Sequence, residues 1–239
     1  LRYVLDSIEE FSTGLADVIC VNSLFTAAVV RKTFKSLHNR ELSVLYPTLN
    51  TNSFDDAGHC DIPELPSKAK HIFLSLNRFE VKKNVKLAIE AFAALRLMLS
   101  EDEFSSCHLI VAGGYDRLNF ENITHFEELV KCASDMADEE KASLLRCSRA
   151  VLYTPHNEHF GIVPVEAMYV GTPVIAVNSG GPTESIVHGE TGFLADQTPQ
   201  AFAQYMFTLI RDEDLREKMT EMLFEFLLFC PPLYWYGLW

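Results

Sequence analysis

The sequence predicts an α/β fold built on a doubly wound parallel sheet, and three observations carry that reading. Short apolar, β-branched runs alternate with longer segments of helical period. Polar or glycine-bearing stretches follow several of these runs, which is where an open parallel sheet gathers its ligand-binding loops. The 239 residues are 48% hydrophobic and 22% charged, with 11 glycines and 10 prolines, so the chain can bury a real core and is not of low complexity.

Each element follows from the pattern of its residues. The chain opens at Leu1 on helix-like sequence to Phe11, without the basic and apolar regions of a signal peptide, and is read as a fragment. Strands are expected at Val18 to Val21, Val44 to Tyr46, Ile72 to Leu76, His108 to Ala112, Ala150 to Tyr153 and Pro173 to Val177. Helices are expected at Leu24 to Phe34, Lys86 to Leu99, Ile123 to Ala133, Lys141 to Cys147, Val163 to Val170 and Pro199 to Ile210. In the second of these helices Ala88, Phe92, Leu95 and Leu99 share one face, with Lys86 and Glu90 four apart outside it.

From Thr48 to Ala69, Pro, Asn, Ser, Asp and Gly accumulate and no regular period survives. Residues 1–47 are therefore read as the end of one α/β lobe, 48–69 as a linker and 70–221 as a second, doubly wound lobe. Residues 222–239 form a hydrophobic, aromatic-rich tail holding both tryptophans; Glu225 and Pro231-Pro232 oppose a membrane span there.

Acidic residues outnumber basic ones by 33 to 20, for a formal charge of −13. This disfavours nucleic acid as a partner, because a nucleic-acid footprint needs a basic face, and any polyanion site must be local. Cys20, Cys60, Cys107, Cys132, Cys147 and Cys230 are scattered, without zinc-like spacing, and are read as reduced thiols in a cytosolic setting. One sequon, Asn122-Ile123-Thr124, points the other way and decides nothing alone.

Three constellations bear chemistry. In Asn77-Arg78-Phe79-Glu80-Val81-Lys82-Lys83-Asn84, followed by Lys86, a basic island sits at the carboxyl end of an expected strand. Arg offers a bidentate fork and Lys a mobile point charge, a pair suited to a diphosphate; a solvated basic turn is the other reading. In Glu158-His159-Phe160-Gly161-Ile162-Val163-Pro164-Val165-Glu166, Pro164 fits the first turn of a helix that starts near Gly161. The free N–H groups of Gly161, Ile162 and Val163 then form an anion seat. Glu166 lies among apolar neighbours and needs donors, which sugar hydroxyls would supply; a surface and a helix Glu with no joint role is the alternative. In Asn178-Ser179-Gly180-Gly181-Pro182-Thr183-Glu184, two glycines permit close approach, for structural or functional ends alike. Gly113-Gly114 reads as a simple turn, and His156 and His159 as loop histidines with no metal.

Taken in order, these motifs, with Val111-Ala112-Gly113-Gly114-Tyr115 and Pro173-Val174-Ile175-Ala176-Val177 between them, resemble the Rossmann-like donor-nucleotide lobe of retaining GT-B glycosyltransferases. Glu158 and Glu166 match that group's pair of glutamates eight apart. The likeness is stronger to the α-1,3/α-1,6-mannosyltransferases that build the dolichol-linked oligosaccharide of asparagine-linked glycosylation, and it runs from the start to about Thr220, including Val21-Asn22-Ser23 and Leu45-Tyr46-Pro47.

The resemblance implies that the chain is the C-terminal lobe of a GT-B fold with the tail end of the N-terminal lobe. It implies that Arg78 and Lys83 hold the donor diphosphate, that Glu166 binds the ribose hydroxyls, and that Glu158, Phe160 and Gly161, with the helix start at Ile162 and Val163, face the sugar and β-phosphate. It implies transfer of mannose from GDP-mannose, with retention and no essential metal or cofactor, to a dolichol-linked acceptor at the cytosolic face of the endoplasmic reticulum membrane. The partners would include the missing N-terminal lobe, without which the chain alone would be inactive. Also open are a module that binds a nucleotide sugar or a protein without catalysis, and a related enzyme using UDP-glucose. Between Val130 and Ala150 the family carries a strand and a base-lining loop, whereas Cys132 to Glu140 holds no β-like run, so the sheet is expected to lack that strand.

Overall fold

A computed structural model describes residues 2–55, 68–114 and 138–229. The expected helix Ile123 to Ala133, the sequon and the tail beyond residue 229 lie outside the described residues, as does most of the stretch expected to lack a strand.

The chain begins with α1 (Arg2–Gly14), β1 (Cys20–Val21), α2 (Leu24–Thr33), a 3-10 turn (Lys35–Leu37) and β2 (Ser43–Val44). The two strands pair in parallel, with Val21 opposite Val44. Ser23 caps α2, its hydroxyl accepting the Thr26 N–H, and Val21, Ala27 and Leu42 make a small core beneath. The expected linker holds a short helix, α3 (Asn52–Asp55), whose buried Phe54 meets the Tyr169 ring edge-on at 5.9 Å.

The second lobe contains β3 (His71–Leu76), a 3-10 turn (Val81–Lys83), α4 (Val85–Arg96), α5 (Glu101–Phe104) and β4 (Cys107–Ala112). It continues with α6 (Asp138–Cys147), β5 (Ala150–Tyr153), α7 (Ile162–Tyr169), β6 (Val174–Val177), α8 (Pro182–Ser185) and β7 (Gly192–Ala195). It closes with α9 (Pro199–Arg211) and α10 (Glu213–Phe229). The five strands pair in parallel in the order β4-β3-β5-β6-β7.

Successive strand residues point to opposite faces. Phe73, Leu152, Ile175 and Phe193 pack with Leu87, Ala88, Leu95, Phe202 and Met206 of α4 and α9 on one face. Leu74, Val151, Tyr153 and Ala176 pack with Leu145, Ala167, Met168 and Leu223 of α6, α7 and α10 on the other. Both faces are covered, so the strands read as unbroken apolar runs. Each fully buried Leu or Phe contributes about 1.5–3 kcal/mol.

The helix α10 runs across residue 222, with Met219 and Leu223 fully buried, so the start of the apolar tail belongs to the packed lobe. Among the described residues no helix is long and apolar enough to cross a membrane. Cys20 and Cys107 are free thiols, but Cys147 is disulfide-bonded, which corrects the expectation that all six cysteines are reduced. Spacing along the chain carries no information about which thiols the fold brings within bridging distance.

Candidate functional site

The strand β3 pairs with β4 on one side and β5 on the other, so the chain order reverses between β3 and β5. In an open parallel sheet such a switch leaves a crevice outside the carboxyl ends of the strands. The loops that leave β3 and β5 carry the first two of the three sequence constellations.

After β3, buried Phe79 anchors the loop, and the Phe79 N–H donates to the Gly114 carbonyl at 3.1 Å. The 3-10 turn Val81–Lys83 ends on Asn84 at φ 48°, and this turns Lys83 inward, where it is buried. The Thr154 hydroxyl holds the Lys83 carbonyl at 2.7 Å, and the ammonium pairs with Glu158. The rest of the basic island faces outward. Arg78 and Lys82 both pair with Glu80, at 3.0 and 2.9 Å, and Lys86 pairs with Glu90 at 3.5 Å. Burial opposes ionisation of Glu80, but the Lys82 hydrogen bond and the charges of Arg78, Lys82 and Lys83 outweigh it and hold its carboxyl below the usual range.

After β5 the loop carries Glu158 to Gly161, where Gly161 at φ +86° caps α7 and Pro164 lies in its first turn, as the sequence predicts. Phe160 is buried against Val165, Ile162, Tyr46 and Leu49. Glu166, buried on α7, receives Lys141 Nζ at 2.6 Å on Oε1. Its Oε2 is buried with no hydrogen-bond partner among the described residues. Tyr153 lies near both carboxylates: burial first, then the charges of Glu158 and Glu166, push its phenol far up, so it stays neutral.

A cavity of about 280 Å³ opens beside these groups, lined by Leu76, Asn77, Arg78, Gly113, Gly114, Lys141 and Val163. Gly113-Gly114 is thus more than a turn. It lines this cavity together with Lys141 on α6, a residue the sequence reading assigned no role. The only signal available for Lys141 was its place on an expected helix.

The third constellation is a buttress for the second. The Gly181 N–H donates to the Glu158 carbonyl at 2.8 Å, and the Asn157 N–H donates to Ser179 Oγ at 3.0 Å. Glu184 then reaches into the first lobe, accepting from Leu24 N at 2.8 Å, Phe25 N at 2.7 Å and Tyr46 Oη at 2.9 Å. A carboxylate at the amino end of α2 complements the helix dipole. His159 faces the same helix, its carbonyl accepting from the Ser23 hydroxyl and its Nδ1 lying 2.9 Å from Thr26 Oγ1. Glu184→Ala is expected to cost about 1–2 kcal/mol through the lost cap. Hydrogen exchange should show faster exchange at Leu24 and Phe25, with Leu74 and Val151 unchanged; unaltered rates at α2 would show that Glu184 does not hold the two lobes together.

Residues 61–223 match the family described as glycosyl transferases group 1. The chain belongs to this family. It is 49% identical over 231 residues to the alpha-1,3/1,6-mannosyltransferase ALG2 of Homo sapiens, covering 91% of this chain and 56% of that protein. The Mus musculus enzyme of the same name is 47% identical over the same shares. The chain thus spans about half the length of these curated relatives. Among solved structures, sucrose-phosphate synthase from Thermosynechococcus elongatus superposes with a TM-score of 0.72 at 20% identity, covering 92% of this chain and 55% of that one. The Anabaena protein HepE in complex with UDP and glucose gives 0.66 at 20% identity, covering 89% and 58%. A C-terminal domain of a group 1 family protein from Francisella tularensis gives 0.56 at 24% identity, covering 77% of this chain and 93% of that domain. The last coverage agrees with an α/β C-terminal lobe.

Proposed function

We propose that this chain is the donor-nucleotide lobe of a retaining α-1,3/α-1,6-mannosyltransferase. It takes GDP-mannose and passes mannose to a dolichol-linked mannosyl-chitobiose acceptor at the cytosolic face of the endoplasmic reticulum. The observation that carries this reading is the convergence of Lys83 with Glu158, and of Lys141 with Glu166, around the amino end of α7 at the sheet's switch point. The names of the relatives support mannose as the sugar. The UDP and glucose bound to the HepE structure support a nucleotide sugar as the donor class.

In this mechanism the ammonium of Lys83, one of its three donors engaged by Glu158, turns another to the β-phosphate. Arg78 supplies a second cation at the cavity edge, and the N–H groups of Ile162 and Val163 face the same charge. The bond from the anomeric carbon to the β-phosphate oxygen breaks and the acceptor oxygen attacks from the same face. The acceptor's hydroxyl proton passes to the departing phosphate. These cations and amides stabilise the charge that grows on the diphosphate, the part a metal takes elsewhere. An ion pair at about 4 Å with an effective dielectric near 20 is worth about 4 kcal/mol before desolvation.

Calorimetric titration of the chain with GDP, GDP-mannose, UDP and UDP-glucose tests the reading. GDP and GDP-mannose should bind at least about tenfold more tightly than the uridine ligands, a difference of about 1.4 kcal/mol. A UDP preference would overturn the mannosyl assignment, and no binding of any of the four would overturn the donor-lobe reading.

A further inference from the structure

The two oxygens of Glu166 are unequal. Oε1 receives Lys141 Nζ at 2.6 Å, while Oε2 is buried with no hydrogen-bond partner among the described residues. The carboxylate is about nine-tenths buried, its side chain 10% exposed against 21% for the lysine. A buried anionic oxygen without donors is costly, so its place in a folded protein calls for a ligand that brings hydroxyl or amide hydrogens. Lys141 itself lines the cavity with Asn77, Arg78, Gly114 and Val163, and Val163 lies one turn before Glu166 on α7. Lys141 therefore joins the cavity lining on α6 to the buried carboxylate of Glu166 on α7, which lies directly behind it.

We propose that Lys141 is a positioning residue of the donor site: by occupying Oε1 it fixes the Glu166 carboxylate and leaves Oε2 to accept from the vicinal hydroxyls of the nucleotide's ribose. The assignment rests on the reading that this cavity takes a nucleotide sugar. A lysine that merely draws in phosphates would act differently, since it would strengthen every nucleotide diphosphate equally, with or without ribose hydroxyls.

Calorimetric titration of the chain with GDP and with 2′,3′-dideoxy-GDP separates the two roles. The unaltered chain should prefer GDP by about ten- to a hundredfold, the range for hydrogen bonds to a charged acceptor. Lys141→Met should cut that preference below about threefold, largely by weakening GDP, and Lys141→Arg should retain most of it. Lys141→Gln keeps a donor but drops the charge; it should lower the preference by at least about threefold, and it carries the test if Lys141→Met does not fold. A preference left intact in Lys141→Met or Lys141→Gln, including equal weakening of both ligands, overturns the role of Lys141 alone. An unaltered chain that binds both ligands equally overturns the ribose role of Glu166 and this proposal with it. Binding of neither ligand overturns the donor reading itself.

Discussion

Lys83→Met is expected to weaken GDP binding by about ten- to a hundredfold, the range for loss of a charge-assisted hydrogen bond. It should also lower the thermal midpoint. Lys83 and Glu158 have side chains only 11% and 26% exposed, so removing the cation strands a mostly buried carboxylate. Breaking a fully buried pair costs about 3–5 kcal/mol; with Glu158 a quarter open to water, about 2 kcal/mol is the proper scale here. For a domain of this size that is a fall of about 4–8 °C in Tm. Lys83→Met combined with Glu158→Gln should recover most of the stability, because no charge is left stranded, and none of the affinity. Calorimetry and thermal melts on the three variants read both effects. Undiminished GDP affinity in Lys83→Met would remove Lys83 from the diphosphate site.

Gly180→Ala should be strongly damaging although it adds a single methyl group. Gly180 stands at φ +66°, a conformation that costs a non-glycine residue about 1–2 kcal/mol. A Cβ there would also fall 2.3 Å from the Glu158 carbonyl oxygen and 2.9 Å from its nitrogen. Backbone cannot yield as a side-chain tip does, so the loop bearing Glu158 must shift. Gly189 provides the control: its φ is +85°, yet a Cβ meets nothing within 4 Å. Gly189→Ala should therefore show the conformational cost alone, about 1–2 kcal/mol, with nucleotide affinity unchanged. Gly180→Ala should exceed it in denaturant melts and weaken GDP at least about tenfold. Equal losses in the two variants would show that the Glu158 loop does not depend on close contact with Gly180.

Most of the sheet was legible because burial on both faces leaves little choice of residue. His71–Leu76 and Ala150–Tyr153 are apolar runs of strand length bounded by polar loops, and they form within one residue or two of where they are expected. Gly192–Ala195 was missed, since four residues that begin with glycine offer no period to detect. Helix α7 and its start were readable from Pro164 and Gly161 because those residues constrain their own backbone.

The partners across the site were not readable, and the reason is distance in the chain. Lys141 and Glu166 lie 25 residues apart, Leu24 and Glu184 160 apart, and Ser23 and His159 136 apart. Periodicity and capping signals report neighbours within a turn or two and carry nothing about contacts of that separation. For the same reason Arg78 and Lys83 looked like one cluster in the sequence, whereas the 3-10 turn between them sends one cation to Glu80 and the other to Glu158.

The seat of α2 on the loop after β5 gives the two lobes a shared mechanical coordinate. Ser23 and Thr26 grip His159, which stands beside Glu158 in the chain, while Glu184 ties the same helix end to the turn beneath that loop. The Ser23 hydroxyl ends on the His159 carbonyl and the Glu184 carboxylate on the Leu24 and Phe25 N–H groups, so a displacement of the first lobe is felt by main chain on both sides of the contact. Residues 22 to 26 therefore act as a tiller: whatever steers them also trims the attitude of the glutamate that would meet the sugar.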